Sequence, residues 1–146
     1  MDFIRRLIRQ RQYLPYCLEA LWYLTWCKCQ VVFKPFASYA KHYGHAHCET
    51  LRVDCLNNQA LIHAIRLSLR VVPICLPWHS KCLDQAMAAQ KMLARRGFAT
   101  TLYFGIMHDA NKTLLAHAWL RCGSKWVIGY QPFQHYSIVG TYAWYR

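Results

Sequence analysis

Two short stretches of the sequence, WHSKCLD at 78–84 and LAHAW at 115–119, carry residue types that are used in nucleophilic catalysis. Ser80 is the predicted N-cap of a helix over residues 82–96, which places Cys82 in the first turn. The unpaired N–H groups and the dipole of a helix N-terminus stabilise the thiolate, which is the nucleophilic form of cysteine. A free cysteine is otherwise a small buried apolar side chain, so position alone leaves the role of Cys82 open.

His117 lies in a segment with the alternating pattern of a β-strand. Alternation puts His117 and Trp119 on one side of the strand and the small side chains of Ala116 and Ala118 on the other. Those small residues leave room for an element that packs closely, such as a helix. A thiol at a helix start and an imidazole on a following strand can act as nucleophile and base. A histidine among aromatic residues can equally be a hydrogen-bonded core residue.

The elements that must position these two residues follow a simple order. Apolar residues recur at helical spacing in the first two thirds of the chain, and short β-branched and aromatic runs follow Gly97. The predicted helices cover residues 2–33 (in two pieces around Pro15), 57–70 and 82–96, and the predicted strands are ATTLYFGIM, LLAHAWL, KWVIGY and HYSIVGTYA. Pro73 and Pro77 bound a predicted loop. This order predicts an α+β fold, with an N-terminal helical region (1–56) and a core (57–146) that together form one compact unit.

Composition limits the functional classes. The chain has 146 residues, of which 55% are hydrophobic, and a formal net charge of +12. Disorder is therefore excluded, and acidic partners are favoured: nucleic acid, an anionic membrane surface or an acidic peptide. A basic binding or scaffold module, for nucleic acid or a partner protein, is thus the alternative to an enzyme. The basic residues are dispersed and no nucleic-acid-binding motif is present, so no nucleic acid is expected.

The cysteines and the apolar segment 14–33 bear on location. No secretory signal pattern is visible in MDFIRRLIRQRQ, so the eight cysteines are expected to be free thiols in a reducing cytoplasm. Glu19 and Lys28 interrupt the apolar segment, which argues against a transmembrane span. We expect a buried or interface-forming helix there, or a peripheral membrane helix beside the arginines at 5, 6, 9 and 11.

A metal site is a further alternative. The run from 42 to 55 has the form H-x2-H-x-H-C-x6-C, made by His42, His45, His47, Cys48 and Cys55. Histidine and thiolate ligands suit zinc. The spacing matches no common structural zinc motif, so no metal is expected.

The run from 77 to 119 resembles the peptidase domain of the lasso-peptide B proteins, which are leader peptidases related to transglutaminase-like cysteine proteases. The matching features are Pro77-Trp78, Cys82-Leu83, the alanines of 86–89, Arg95-Arg96-Gly97, Gly105 and Ala116–Trp119. The resemblance implies a transglutaminase- or papain-like core in a bacterial cytoplasmic protein that needs no cofactor. It implies that Cys82 attacks the scissile carbonyl and that His117 is the general base and acid. Trp78 would help to stabilise the oxyanion or would simply pack, and Trp119 would contact substrate.

The third catalytic residue departs from the family pattern. The resemblance implies an aspartate about a dozen residues after the histidine, where this sequence has Gly129, and no acidic residue follows His117. An amide can orient the imidazole instead, so Gln131 is the first candidate and Asp109 the second. A backbone carbonyl or a plain dyad is also allowed.

The resemblance also implies partners. The substrate would be a ribosomally made precursor peptide, cut between its leader and core. The chain is too short to hold the leader-recognition module of some relatives, so we expect a separate winged-helix-like protein to deliver the leader. An asparagine-synthetase-like cyclase would then close the macrolactam. The basic surface and the helix at 14–33 are candidate docking surfaces for these partners.

Overall fold

A computed structural model of the chain describes residues 11–53, 58–131 and 135–145. The helices are a 3-10 turn at Arg11–Tyr13, α1 at Leu14–Phe33, α2 at Phe36–Tyr39, a 3-10 turn at Ala40–Tyr43, α3 at Gln59–Cys75 and α4 at Cys82–Ala94. The strands are β1 at His45–Ala46, β2 at Thr100–His108, β3 at Leu114–Cys122, β4 at Lys125–Ile128 and β5 at Ser137–Trp144. Four of the five strands follow the last helix, and all five form one antiparallel sheet, so the predicted α+β class is confirmed.

Two prolines affect the helices differently from what the sequence predicts. Pro15 lies in the first turn of α1, where its missing N–H breaks no helical bond. Within the described residues Pro15 therefore opens a continuous helix, and residues 2–10 of the prediction lie outside them. Pro73 lies inside α3, two residues before its end. The prediction that Pro73 begins a loop was wrong, because a proline in the last turn removes a single hydrogen bond and α3 continues to Cys75.

The sheet has the strand order β1-β5-β2-β3-β4, and every neighbouring pair is antiparallel. Strands β2 and β3 pair over their full length, from Thr100 with Cys122 to His108 with Leu114. A bulge between Phe104 and Gly105 shifts the pairing of β2 with β5. Because β3 pairs with β4 only from Leu120 onward, the first half of β3 lies beyond that short strand.

The two faces of the sheet have different partners. Leu102, Ala118 and Leu120 join the hydrophobic core that α1, α3 and α4 build on one face. The helix that the sequence predicts beside Ala118 is thus α4. Tyr103 and Trp119, the neighbours of those residues along β2 and β3, are buried on the opposite face and stack with ring centroids 5.7 Å apart.

Arg121 organises that opposite face. Its side chain is 1% exposed and donates to the hydroxyl of Tyr103 at 2.9 Å, to the carbonyl of Thr50 at 3.0 Å and to the carboxylate of Glu49 at 3.2 Å. The hydroxyls of Thr50 and Thr101 also lie 2.8 Å apart. These contacts hold the segment 49–53 against the sheet, on the side that carries His117.

Candidate active site

Cys82 is the first residue of α4, in the first turn, whose backbone N–H groups have no partner within the helix. Lys81, extended at φ −88° and ψ 168°, holds the N-cap position that the sequence predicts for Ser80. That prediction was wrong because a contact with Asp84 fixes the cap one residue later: the N–H of Lys81 donates to the carboxylate of Asp84 at 3.0 Å. The hydroxyl of Ser80 is buried and has no hydrogen-bond partner among the described residues.

The charges beside the helix start come from two helices. The carboxylate of Asp84 is 1% exposed and lies 3.6 Å from the ammonium of Lys28 on α1. Lys28 also donates to the carbonyl of His79 at 3.3 Å. Lys28 thus ties α1 to the start of α4, where Cys82 lies.

His117 projects from β3, opposite Gly105 of β2. Its ring stacks on those of Trp119 and Tyr136, with centroids 6.0 Å and 5.2 Å away. Its Nε2 lies 2.5 Å from the carbonyl oxygen of Gly129. Because a carbonyl can only accept, Nε2 carries a proton, and in the neutral imidazole Nδ1 then keeps the lone pair that a general base needs.

Gly129 reaches this position because it has no side chain. Its φ is +83°, in the left-handed region that favours glycine. A Cβ added to Gly129 would lie 2.5 Å from the carbonyl oxygen of Ala118 and 3.1 Å from the Cα of Trp119. The hydrogen bond to His117 thus depends on a backbone approach that a larger residue would block.

The two side chains suggested as orienters of the imidazole lie elsewhere or make no such bond. The carboxylate of Asp109 accepts from the N–H groups of Asn111 and Thr113, at 2.9 Å and 2.8 Å, in the turn between β2 and β3. Gln131 lines the same cavity as His117, but within the described chain no hydrogen bond joins them. The described partner of the imidazole is the carbonyl of Gly129, an alternative that the sequence had left open.

The His117 side of the sheet bears a cavity of about 440 Å³. Five aromatic residues line it: Tyr103, Trp119, Trp126, Tyr130 and Tyr136. Glu49 and Arg52 add opposite charges to its wall. An aromatic wall with a few polar groups suits an apolar or aromatic side chain of a peptide. Sequence reasoning missed Glu49 and Tyr136, because only the folded chain brings them to His117.

The two tryptophans suggested to contact substrate or the oxyanion lie in different parts of the fold. Trp119 is 6% exposed and forms part of the cavity wall. Trp78 lies in the irregular segment before α4, and its indole Nε1 is buried with no hydrogen-bond partner in the described chain. A buried N–H donor without an acceptor is unusual in a folded protein.

Cys82 and His117 are associated with different faces of the sheet. Cys82 packs against the core on the α4 side, and His117 lines the cavity on the other side. Among the residues that the structure describes, no hydrogen bond joins the thiol to the imidazole. The structure therefore brings His117, Trp119 and Gln131 together, and leaves Cys82 apart from them.

Helix α4 nevertheless packs on the strand pair that carries His117. Residues 95–99 join the end of α4 to the start of β2, and α4 packs on both β2 and β3. Cys82 at the start of α4 and His117 on β3 therefore belong to elements in direct contact.

The His/Cys run has no metal cluster in the residues that the structure describes. No group of three or more His, Cys, Asp or Glu side chains there could hold a metal ion. His45 stacks on Tyr145 with centroids 5.1 Å apart, and Cys48 is an exposed free thiol. Cys55, the last member of the run, lies outside the described residues.

Comparison with known proteins gives one family. A family model described as "Transglutaminase-like superfamily" matches residues 36–141, more than two thirds of the chain. The matched region includes Cys82, His117 and Gly129. No curated protein and no solved structure matches the chain significantly.

Proposed function

The chain belongs to the transglutaminase-like superfamily and has a cysteine-peptidase type of fold, and on this premise we propose that it is a cysteine peptidase that removes the leader of a lasso-peptide precursor. The hydrogen bond from His117 to the carbonyl of Gly129 is the observation that carries this conclusion. It supplies, from the backbone, the orientation that an aspartate gives in related enzymes. A proton fixed on Nε2 leaves Nδ1 to serve the thiol.

In the proposed reaction, Nδ1 of His117 takes the proton of the Cys82 thiol, and the sulfur attacks the scissile carbonyl carbon. The resulting oxyanion accepts hydrogen bonds from backbone N–H groups at the start of α4 and from the indole N–H of Trp78, which has no acceptor among the described residues. The C–N bond breaks as His117 returns its proton to the leaving amine. A water molecule, deprotonated by His117, then cleaves the thioester and regenerates the thiol.

Catalysis requires the imidazole and the thiol to come within hydrogen-bond distance. Catalytic hydrogen bonds often tighten only when substrate is bound. Two features favour such an approach here: the irregular segment 76–81 before α4, and the exposed Ala116 in the first half of β3, which lies beyond β4. A peptide side chain in the aromatic cavity would lie beside His117 and bring the scissile bond to the same end of the sheet.

The substrate and partners follow from the resemblance described above. We propose that a separate leader-binding protein delivers the precursor and that an asparagine-synthetase-like cyclase takes the freed core peptide. The net charge of +12 favours acidic segments in these partners.

A cleavage assay tests the proposed function. A candidate precursor is incubated with this protein and the leader-binding protein, and the products are identified by mass spectrometry. Cleavage at the leader–core junction is expected for the natural protein and for Cys29→Ser, which changes an exposed thiol on α1. No cleavage is expected for Cys82→Ala, whose folded state is checked by circular dichroism. Equal cleavage by Cys82→Ala would contradict the proposal.

The separation of Cys82 from His117 favours a second candidate, a basic binding module without catalysis. A protein with a charge of +12 that binds nucleic acid or an acidic partner would lose affinity steeply as salt rises. Salt-sensitive binding that is unchanged in Cys82→Ala, together with no cleavage by the natural protein, would favour this candidate.

A further inference from the structure

Helix α1 exposes an apolar face along its whole length. Leu18 is 60% exposed, Trp22 66%, Trp26 51% and Phe33 80%. Leu18, Trp22 and Trp26 are four residues apart and Phe33 follows seven residues later, so all four lie on one side of the helix. The exposed Leu14, Leu21 and Val32 lie on the same side. The opposite side, with Ala20, Leu24 and Cys27 at 0% exposure, is packed in the core.

This helix is therefore apolar on both its buried and its exposed side. A helix whose outer side faces water normally carries polar residues there. A contiguous apolar surface with two exposed tryptophans marks an interaction site. No helix in the described part of the chain is long and apolar enough to cross a membrane.

The charges around this outer face are positive. Arg11 and Lys34, at its two ends, are exposed, and the side chain of Arg95 is 68% exposed beside it. Glu19, the one acidic residue of α1, is 9% exposed and pairs with Arg96 at 2.6 Å. The face thus carries apolar rings and cations, with its single carboxylate already neutralised.

A groove adjoins the outer face of α1 beside Trp22. Leu18 and Trp22 line it together with Arg95 and Arg96. The guanidinium of Arg96 forms an ion pair with the carboxylate of Glu19 at 2.6 Å, whereas the guanidinium of Arg95 lies 3.7 Å from the same carboxylate. An anionic group with an apolar chain attached fits such a surface, with its charge at Arg95 and its chain along Leu18 and Trp22.

We propose that the outer face of α1 docks on an anionic lipid bilayer. The helix would lie in the plane of the interface, with the rings of Trp22, Trp26 and Phe33 among the headgroups and the cations at the phosphates. The sequence preceding the helix extends the same composition, because Phe3, Ile4, Leu7 and Ile8 alternate there with arginines. Net charge of +12 supplies the long-range attraction to an acidic surface.

Vesicle sedimentation tests this proposal. The protein is mixed with vesicles of equal parts phosphatidylglycerol and phosphatidylcholine, and with vesicles of phosphatidylcholine alone. We expect it to sediment with the anionic vesicles and to be released largely by about 0.5 M NaCl. The double variant W22S/W26S should bind at least about tenfold more weakly. The control L51S/I74S, which removes two exposed apolar side chains from other parts of the chain, should bind like the natural protein.

Three results would overturn the proposal. The first is equal sedimentation of the natural protein with both kinds of vesicle, or with neither. The second is a dimer, measured by light scattering, that W22S/W26S converts to monomer, which would assign the face to a second copy. The third is loss of binding in L51S/I74S equal to that in W22S/W26S while circular dichroism shows both folded. Precursor cleavage in the absence of vesicles is measured separately, so it does not depend on any of these outcomes.

Discussion

His117 and Gly129 are joined by a hydrogen bond of 2.5 Å between the imidazole Nε2 and the carbonyl oxygen. The two residues lie twelve positions apart, on β3 and just after β4. The bond selects one tautomer of His117, with Nδ1 free to accept a proton. A backbone carbonyl cannot be removed by changing a side chain, so the way to disturb this relationship is through the glycine itself.

We predict that Gly129→Ala weakens both the fold and the imidazole bond. The added Cβ would meet the carbonyl oxygen of Ala118 at 2.5 Å, which the backbone must relieve by moving away from His117. The loss in free energy of unfolding should be about 2–4 kcal/mol, combining a strained φ with this clash. Urea unfolding measures the loss, and the NMR signal of the His117 Nε2 proton reports the bond.

Gly97→Ala is the matched control for that change. Gly97 has a similar φ of +79°, but a Cβ added there meets nothing within 4 Å. The expected loss is about 1–2 kcal/mol from φ alone, with the Nε2 proton signal unchanged. If both variants lose the same stability and keep that signal, the close approach of Gly129 does not hold the imidazole.

We predict that Arg121→Met destabilises the protein by about 3 kcal/mol. The change leaves the carbonyls of Thr50 and Gly123 without the donor that they have in the buried interior. It should also loosen the segment 49–53, which hydrogen exchange would show as faster exchange of the Thr50 N–H. Arg70→Met, an exposed arginine on α3, should change stability by less than about 0.5 kcal/mol; an equal loss in the two variants would refute this role of Arg121.

We predict that stability falls as the pH rises above 9, in part through Cys27. Burial is the main cause that raises the pKa of the Cys27 thiol from 9.0 to about 12, although its hydrogen bond with Tyr43 lowers it somewhat. Between these values the folded state holds a proton that the unfolded state has lost, so unfolding becomes more favourable with rising pH. Burial also raises the pKa of Tyr43, with the same sign, and lowers the pKa of Lys91, with the opposite sign.

Cys27→Ala isolates the thiol from these other groups. Urea unfolding is measured at several values between pH 8 and about pH 11. The natural protein should lose more stability over this range than Cys27→Ala, although the variant starts lower because it leaves a cavity. Cys29→Ala, an exposed thiol on the same helix, should follow the natural protein. Parallel curves for Cys27→Ala and the natural protein would contradict the buried-thiol explanation.

The sequence predicted the elements whose signals are local. The strands around Leu102 and Leu120 and the helix that starts at Cys82 follow from periodicity within a few residues. The N-cap of α4 was predicted at Ser80, a residue type common at that position, and it lies at Lys81. The N–H of Lys81 donates to the carboxylate of Asp84, and this contact fixes the start of the helix. Contacts over long separations were also invisible, such as that of Arg121 with Glu49, 72 positions apart. The hydrogen-bond partner of His117 is the backbone carbonyl oxygen of Gly129. Every residue has such an oxygen, so the residue types in the sequence do not identify it.

The rate of alkylation at Cys82 tests most directly whether its thiol and the imidazole of His117 act as a pair. Iodoacetamide is applied at neutral pH, and mass spectrometry follows each cysteine in the natural protein and in His117→Ala. The paired residues predict that Cys82 reacts fastest in the natural protein, and that His117→Ala slows its alkylation at least about tenfold. The exposed Cys29 should react at the same rate in both proteins. Equal rates at Cys82 in the two proteins would contradict the pairing and with it the peptidase mechanism.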